Sequence, residues 1–168
     1  MHINLISNIF HCGLRMAALT LALAMLPAVA QARCDLPPDA AQISRATLEA
    51  VNATRQANGM RALTAHPALE RAARDQSCHM ASSRTLTHSG PNGAQIGSRV
   101  RAAGYNYRSV AENVAHGYTG PNAVVAGWMA SPGHRQNILR NDVTHGAIVP
   151  ARDAGGRLYW TMIVARPR

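Results

Sequence analysis

Lysine is missing altogether from this sequence: all 17 basic residues are arginine. Set beside an abundance of alanine, that reads as a bias of genomic base composition rather than as selection for one surface, so the arginine content says little about partners. Aromatic residues are scarce too, at 4%, and the arginines are scattered with no basic run. A nucleic-acid groove needs a continuous basic track and flat rings on which bases stack, so a nucleic-acid partner is not expected. The net charge of +9 still favours anionic polymers or membrane surfaces weakly.

Long apolar runs are equally few. The single one, Met16 to Ala30, follows Arg15 and is uncharged and rich in Leu, Ala and Met. Its length suits the central region of an export signal and is short for a bilayer span. Pro27 and the small-residue series Ala28-Val29-Ala30 or Ala30-Gln31-Ala32 follow at the spacing a signal peptidase reads. Residues 1–32 are therefore expected to be a signal peptide cleaved after Ala32, or otherwise after Ala30. No second apolar run follows to fix a membrane topology, so stable membrane insertion after cleavage is not expected. The expected location is secreted or periplasmic.

Cleavage would leave about 136 residues, enough for one domain with one core and too few for two. Of the three cysteines, Cys12 leaves with the signal, and Cys34 and Cys78 remain. An even pair in an oxidising compartment reads as a disulfide, with two buried free thiols as the alternative.

Residues 33–42 contain Pro37-Pro38-Asp39 and read as an extended lead-in; the domain is expected over 43–168. Leu48 and Val51 among Ala and polar positions predict a helix from Ser44, as its cap, to Asn58, stopped at Gly59. Pro67 opens a second, with Leu69, Ala72, Ala73, Gln76 and Met80 on one face, ending near Ser83. The stretch 84–94 is turn-rich and places His88 on a loop. Shorter helices are predicted over 95–103 and 122–130, the latter closed by Pro132. Then the period changes: 147–151 and 158–165, joined at Asp153-Ala154-Gly155-Gly156, read as a β-hairpin. Composition and periodicity thus reach helices packed on an antiparallel sheet, an α+β class.

Two strings say more. Ala111-Glu112-Asn113-Val114-Ala115 and Trp128-Met129-Ala130-Ser131-Pro132-Gly133-His134-Arg135-Gln136-Asn137-Ile138-Leu139 resemble the bacterial branch of the CAP superfamily (cysteine-rich secretory proteins, antigen 5, pathogenesis-related 1). Val51-Asn52-Ala53-Thr54-Arg55 resembles the family's first helix, Leu86-Thr87-His88-Ser89-Gly90 its first histidine segment, and Gly104-Tyr105, Gly146 and Tyr159-Trp160 follow in order. The likeness runs from about Ile43 to Ala165. It implies a three-layer α-β-α sandwich with a central antiparallel sheet.

The resemblance also implies a cleft lined by two histidines and two acids that in some members hold a divalent cation. Position by position these are His88, His134 and Glu112, while the second acid falls on Ser131. A set of two imidazoles and one carboxylate can still take zinc with open positions, at a cost in charge and in orientation. The separations of 24 and 22 residues between the three match no local metal-binding motif. Each also has a plainer role open to it: His134 near a helix start, His88 exposed on its loop, Glu112 paired with backbone or arginine donors. Ser131, His134 and Glu112 contain the residue types of an acyl-transfer triad, yet Ser131 precedes a proline and lacks the strained nucleophile turn. The function implied is that of a secreted binding protein, as family members are associated with lipid and sterol carriage and envelope biology. Its partner would be a small apolar ligand or an envelope component, and no cofactor is required beyond a possible zinc ion. The competing reading is a metal-dependent hydrolase acting on peptide or cell-wall material.

Overall fold

A computed structural model describes Cys34 and residues 36–168; the expected signal peptide lies outside the described residues. The chain enters helix α1 (Ala40–Ala57) four residues before the expected cap Ser44. The Pro37-Pro38-Asp39 turn is the reason: Ala40 N donates to Pro37 O and Ile43 N to Asp39 O, so the helical ladder starts directly from the turn. The last part of the stretch read as a lead-in is therefore helix. At the other end Asn58 caps α1 and Gly59 takes φ +75°, where a side chain is strained.

A two-residue strand β1 (Thr64–Ala65) leads to α2 (Pro67–Ser83), whose N-cap His66 accepts at Nδ1 from Ala68 N at 3.2 Å. The buried face of α2 runs through Ala68, Leu69, Ala72, Ala73, Gln76 and Met80, as its spacing predicts. After the loop come α3 (Ile96–Ala102), β2 (Tyr107–His116), α4 (Pro121–Met129), α5 (Pro132–Ile138), β3 (His145–Arg152) and β4 (Leu158–Pro167). The β3–β4 hairpin falls where the change of period puts it, its turn held by Asp153 Oδ1 accepting from Gly155 N and Arg157 N at 2.9 Å each.

Within the sheet the order is β1-β3-β4-β2. The three long strands are antiparallel, and β1 adds a short parallel pairing on β3. Strand β4 is buried on both sides, which explains its nearly unbroken apolar sequence. Trp160, Met162 and Val164 pack with Val51 of α1, Trp128 of α4 and Ile138 of α5. Ile163 and Ala165 pack with Leu69, Ala72 and Ala73 of α2 and Val100 of α3. Alternate residues of one strand thus feed two cores, and helices cover both faces: an α-β-α sandwich.

Cys34 and Cys78 are joined by a disulfide, with Cα atoms 5.1 Å apart, fastening the N-terminal approach to α2. The Asn52–Arg55 pair of α1 has a structural role. Asn52 clamps both backbone groups of Leu63. Arg55, 1% exposed, donates to the carbonyls of Arg61, Ile138 and Arg140. It satisfies the open end of α5, whose last carbonyls have no partner within the helix.

Candidate functional site

Edge strand β2 carries the centre of the site on adjacent residues facing opposite ways. Glu112 pairs in register with Ile163 and turns toward α2 and α3; Asn113 pairs with Met162 and turns toward α5.

The side chain of Glu112 is only 3% exposed. A carboxylate so deeply buried must be paired to be tolerated, and both of its oxygens are. Oε1 meets His88 Nδ1 at 3.0 Å, and Oε2 accepts from the similarly buried Arg99 Nη2. Because a carboxylate can only accept, the Nδ1 of His88 must carry the proton, which leaves Nε2 as the free nitrogen of a ring 59% exposed. The loop bearing His88 is held from beneath. Arg99 Nη1 donates to the carbonyls of His88 and Ala94 at 2.9 and 2.8 Å, and Gln76 Nε2 to that of Thr87 at 2.7 Å. Such close packing needs a glycine at position 90, where a Cβ would stand 2.6 Å from Arg99 Cδ.

On the other face the ties are neutral. Asn113 Nδ2 donates to the backbone carbonyl of His134 at 3.0 Å, and Asn113 Oδ1 accepts from Asn137 Nδ2 at 2.9 Å. Asn137 Nδ2 also reaches the Glu112 carbonyl at 3.2 Å. The Glu-Asn string on β2 and the His-Arg-Gln-Asn string on α5 are therefore two halves of one network that fixes where His134 stands. Burial holds the His134 imidazole below its ordinary pKa, and the nearby His88 adds to the effect. Trp128 is core, donating from Nε1 to Val114 O at 3.3 Å.

Ser131 is the N-cap residue of α5, but its hydroxyl makes no capping bond and no hydrogen bond to His88, Glu112 or His134 among the described residues. It contributes nothing that a second carboxylate would. Neither do three His, Cys, Asp or Glu side chains stand close enough to share a metal ion among the described residues. The full set His88, Glu112 and His134 therefore does not fit a resident metal: Glu112 orients His88 instead of facing a cation, and Arg99 already balances its charge. What remains to offer is two imidazole nitrogens. Arg99 is the participant that sequence reasoning missed. Its only signal was a place beside the inward-facing Val100, which does not say what a guanidinium would meet.

An α-β-α sandwich with a His–Glu pair and a second histidine held through an Asn network defines the class. The profile of the CAP group, described as the cysteine-rich secretory protein family, matches residues 48–164, and this chain belongs to that family. The Bacillus subtilis protein YkwD is 32% identical over 109 residues, covering 65% of this chain and 42% of the relative. The chain thus spans less than half the length of that curated relative. Among solved structures, an outer surface protein from Borrelia burgdorferi superposes with a TM-score of 0.73 at 16% identity, covering 81% of this chain and all of that one. An extracellular protein containing a SCP domain from Bacillus anthracis gives 0.65 at 22% identity, covering 78% of this chain and 44% of that one. These two likenesses concern the fold. No helix among the described residues is long and apolar enough to cross a membrane.

Proposed function

We propose that this CAP domain is exported, to the periplasm or beyond, and works as a binding module of the envelope or extracellular space. Its ligand is a small apolar molecule or an envelope component, received at the cleft of His88, Glu112, Ser131 and His134. The observation that carries this reading is the state of Glu112. With one oxygen on His88, the other on Arg99 and the side chain 3% exposed, the carboxylate is engaged in holding its two neighbours, which argues against its acting on a substrate water. The site is organised to present two imidazole nitrogens, which suits recognition better than hydrolysis. The metal-dependent hydrolase reading has no comparable support, since it needs a carboxylate acting on substrate water.

Zinc serves as the probe of this reading. Two neutral imidazoles and no free carboxylate supply weak affinity, micromolar or poorer, because loss of an orienting or ligating carboxylate typically costs about 10 to 100-fold. Calorimetric titration of the chelator-stripped mature protein checks it. His88→Ala should abolish the weak binding and Ser131→Glu should strengthen it. Tight zinc binding that survives His88→Ala, or chelator-sensitive turnover of a generic peptide or ester, would overturn the reading.

A further inference from the structure

At the start of β2, away from the histidine cleft, arginines distant in sequence come together. Arg108, Arg140 and Arg166 line an open depression of about 620 Å³, with Ser109 and Asp142. They arrive from three places: the beginning of β2, the segment after α5, and the end of β4 opposite Ser109. Arg108 lies at the register shift between Tyr107 and Ser109. A residue at such an irregularity leaves the ladder, and its side chain can be re-aimed.

Arg140 is held rigidly. Its Nε and Nη2 donate to the two oxygens of Asp142 at 2.9 and 2.8 Å, and Nη2 also donates to Ser109 Oγ at 2.8 Å. Those bonds keep the Asp142 carboxyl far below the usual carboxylate range, so the pair stays ionised. Nη1 of Arg140 has no hydrogen-bond acceptor among the described residues. Arg108 and Arg166 are exposed and have no carboxylate within ion-pair distance among the described residues. Asp142 thus offsets one guanidinium and leaves two positive charges uncompensated. Arg101, its guanidinium 4.6 Å from the centre of the Tyr107 ring, adds another beside them.

We propose that this depression is an oxyanion site for phosphate groups, whether on a soluble phosphorylated molecule or on the headgroup of an anionic lipid. Guanidinium forks match phosphate oxygens in pairs, and several forks converging on one place suit a group with several oxygens and more than one negative charge. Among the described residues Arg108 and Arg166 have their forks free, and Arg140, already held by Asp142 and Ser109, loses little freedom when its Nη1 donates to the ligand. A cation would meet repulsion here. None of the depression's lining residues belongs to the histidine cleft, so this site and the cleft reading stand or fall separately.

The test uses the mature protein at low ionic strength with two probes: inorganic pyrophosphate by calorimetry, and co-sedimentation with phosphatidylglycerol vesicles against phosphatidylcholine vesicles. The comparison variants are Arg108→Ala/Arg166→Ala, which leaves Arg140 and its partners intact, and Arg45→Ala/Arg61→Ala, which removes the same charge outside the depression. The expected result is binding of at least one phosphate probe, weakened about tenfold or more by the first variant and less than about twofold by the second. Pyrophosphate binding without vesicle retention assigns a soluble source, and retention on phosphatidylglycerol assigns the headgroup. Equal weakening by both variants, or no binding of either probe by the wild-type chain, overturns the site.

Discussion

Glu112 and Asn113 are neighbours on one strand, yet they position His88 and His134 by different physics. On the α2 and α3 side a buried carboxylate, a buried guanidinium and a half-exposed imidazole form a chain of charge-assisted bonds ending at His88. On the α5 side two amides and a pair of backbone carbonyls do the equivalent task for His134 with no charge at all. The lesson is one of consequence. A neutral network that loses a member leaves unmet hydrogen bonds, whereas a charged one leaves an uncompensated buried ion, and the second costs more.

The largest effect should therefore come from Arg99→Met. It strands the carboxylate of Glu112, which is 3% exposed, and should lower unfolding stability by about 3–5 kcal/mol. Denaturant unfolding measures it. The double variant Arg99→Met/Glu112→Gln should recover most of the loss, because an amide does not need a counterion. A single variant that unfolds within about 1 kcal/mol of wild type, as for an exposed pair, would mean that the two faces do not differ in kind.

Asn113→Ala should cost less, about 1–3 kcal/mol for the unmet groups of Asn137 and His134. It also separates the faces directly. In imidazole NMR spectra this variant should move the His134 resonances and leave those of His88 in place, while Arg99→Met does the reverse. Equal movement of both rings in both variants would dissolve the distinction.

The smallest effect concerns pH and belongs to the α2 side. Burial, the His145 ring and Arg71 together hold His66 below its ordinary pKa, and its Nδ1 must be unprotonated to accept from Ala68 N. The unfolded chain, with histidine near about 6.5, therefore binds more protons than the folded one. Stability from this residue is full above about pH 6.5 and declines as pH falls below it. His66→Asn keeps a capping acceptor that does not titrate and should flatten the decline in a series of melting curves. An unchanged slope would assign the acid sensitivity to other groups.

Some of this was legible in the linear chain. Helix α2 and the β3–β4 hairpin follow from spacing and turn residues, since each is a local pattern of burial against one core. Strand β2 was less plain. In Tyr107–His116 the residues facing the two cores include Ser, Ala, Glu and Asn, because the strand spends its positions on the polar ties of the site, and polar positions blur a period of two. Helix α5 was hidden for a similar reason, its seven residues holding only one buried apolar side chain, Ile138.

By itself the sequence determined the family, helices α1 to α4 and the β3–β4 hairpin, and it named Cys34 and Cys78 as able to pair and His88, His134 and Glu112 as candidates, since these depend on local spacing and on strings long enough to be specific. Only the tertiary structure decided what those groups do. Arg99 stands 13 residues from Glu112, and Arg55 stands 83 residues from the Ile138 carbonyl it satisfies. No periodicity links such positions, because a buried charge or an open helix end is answered by whichever donor the packed layers bring within about 3 Å.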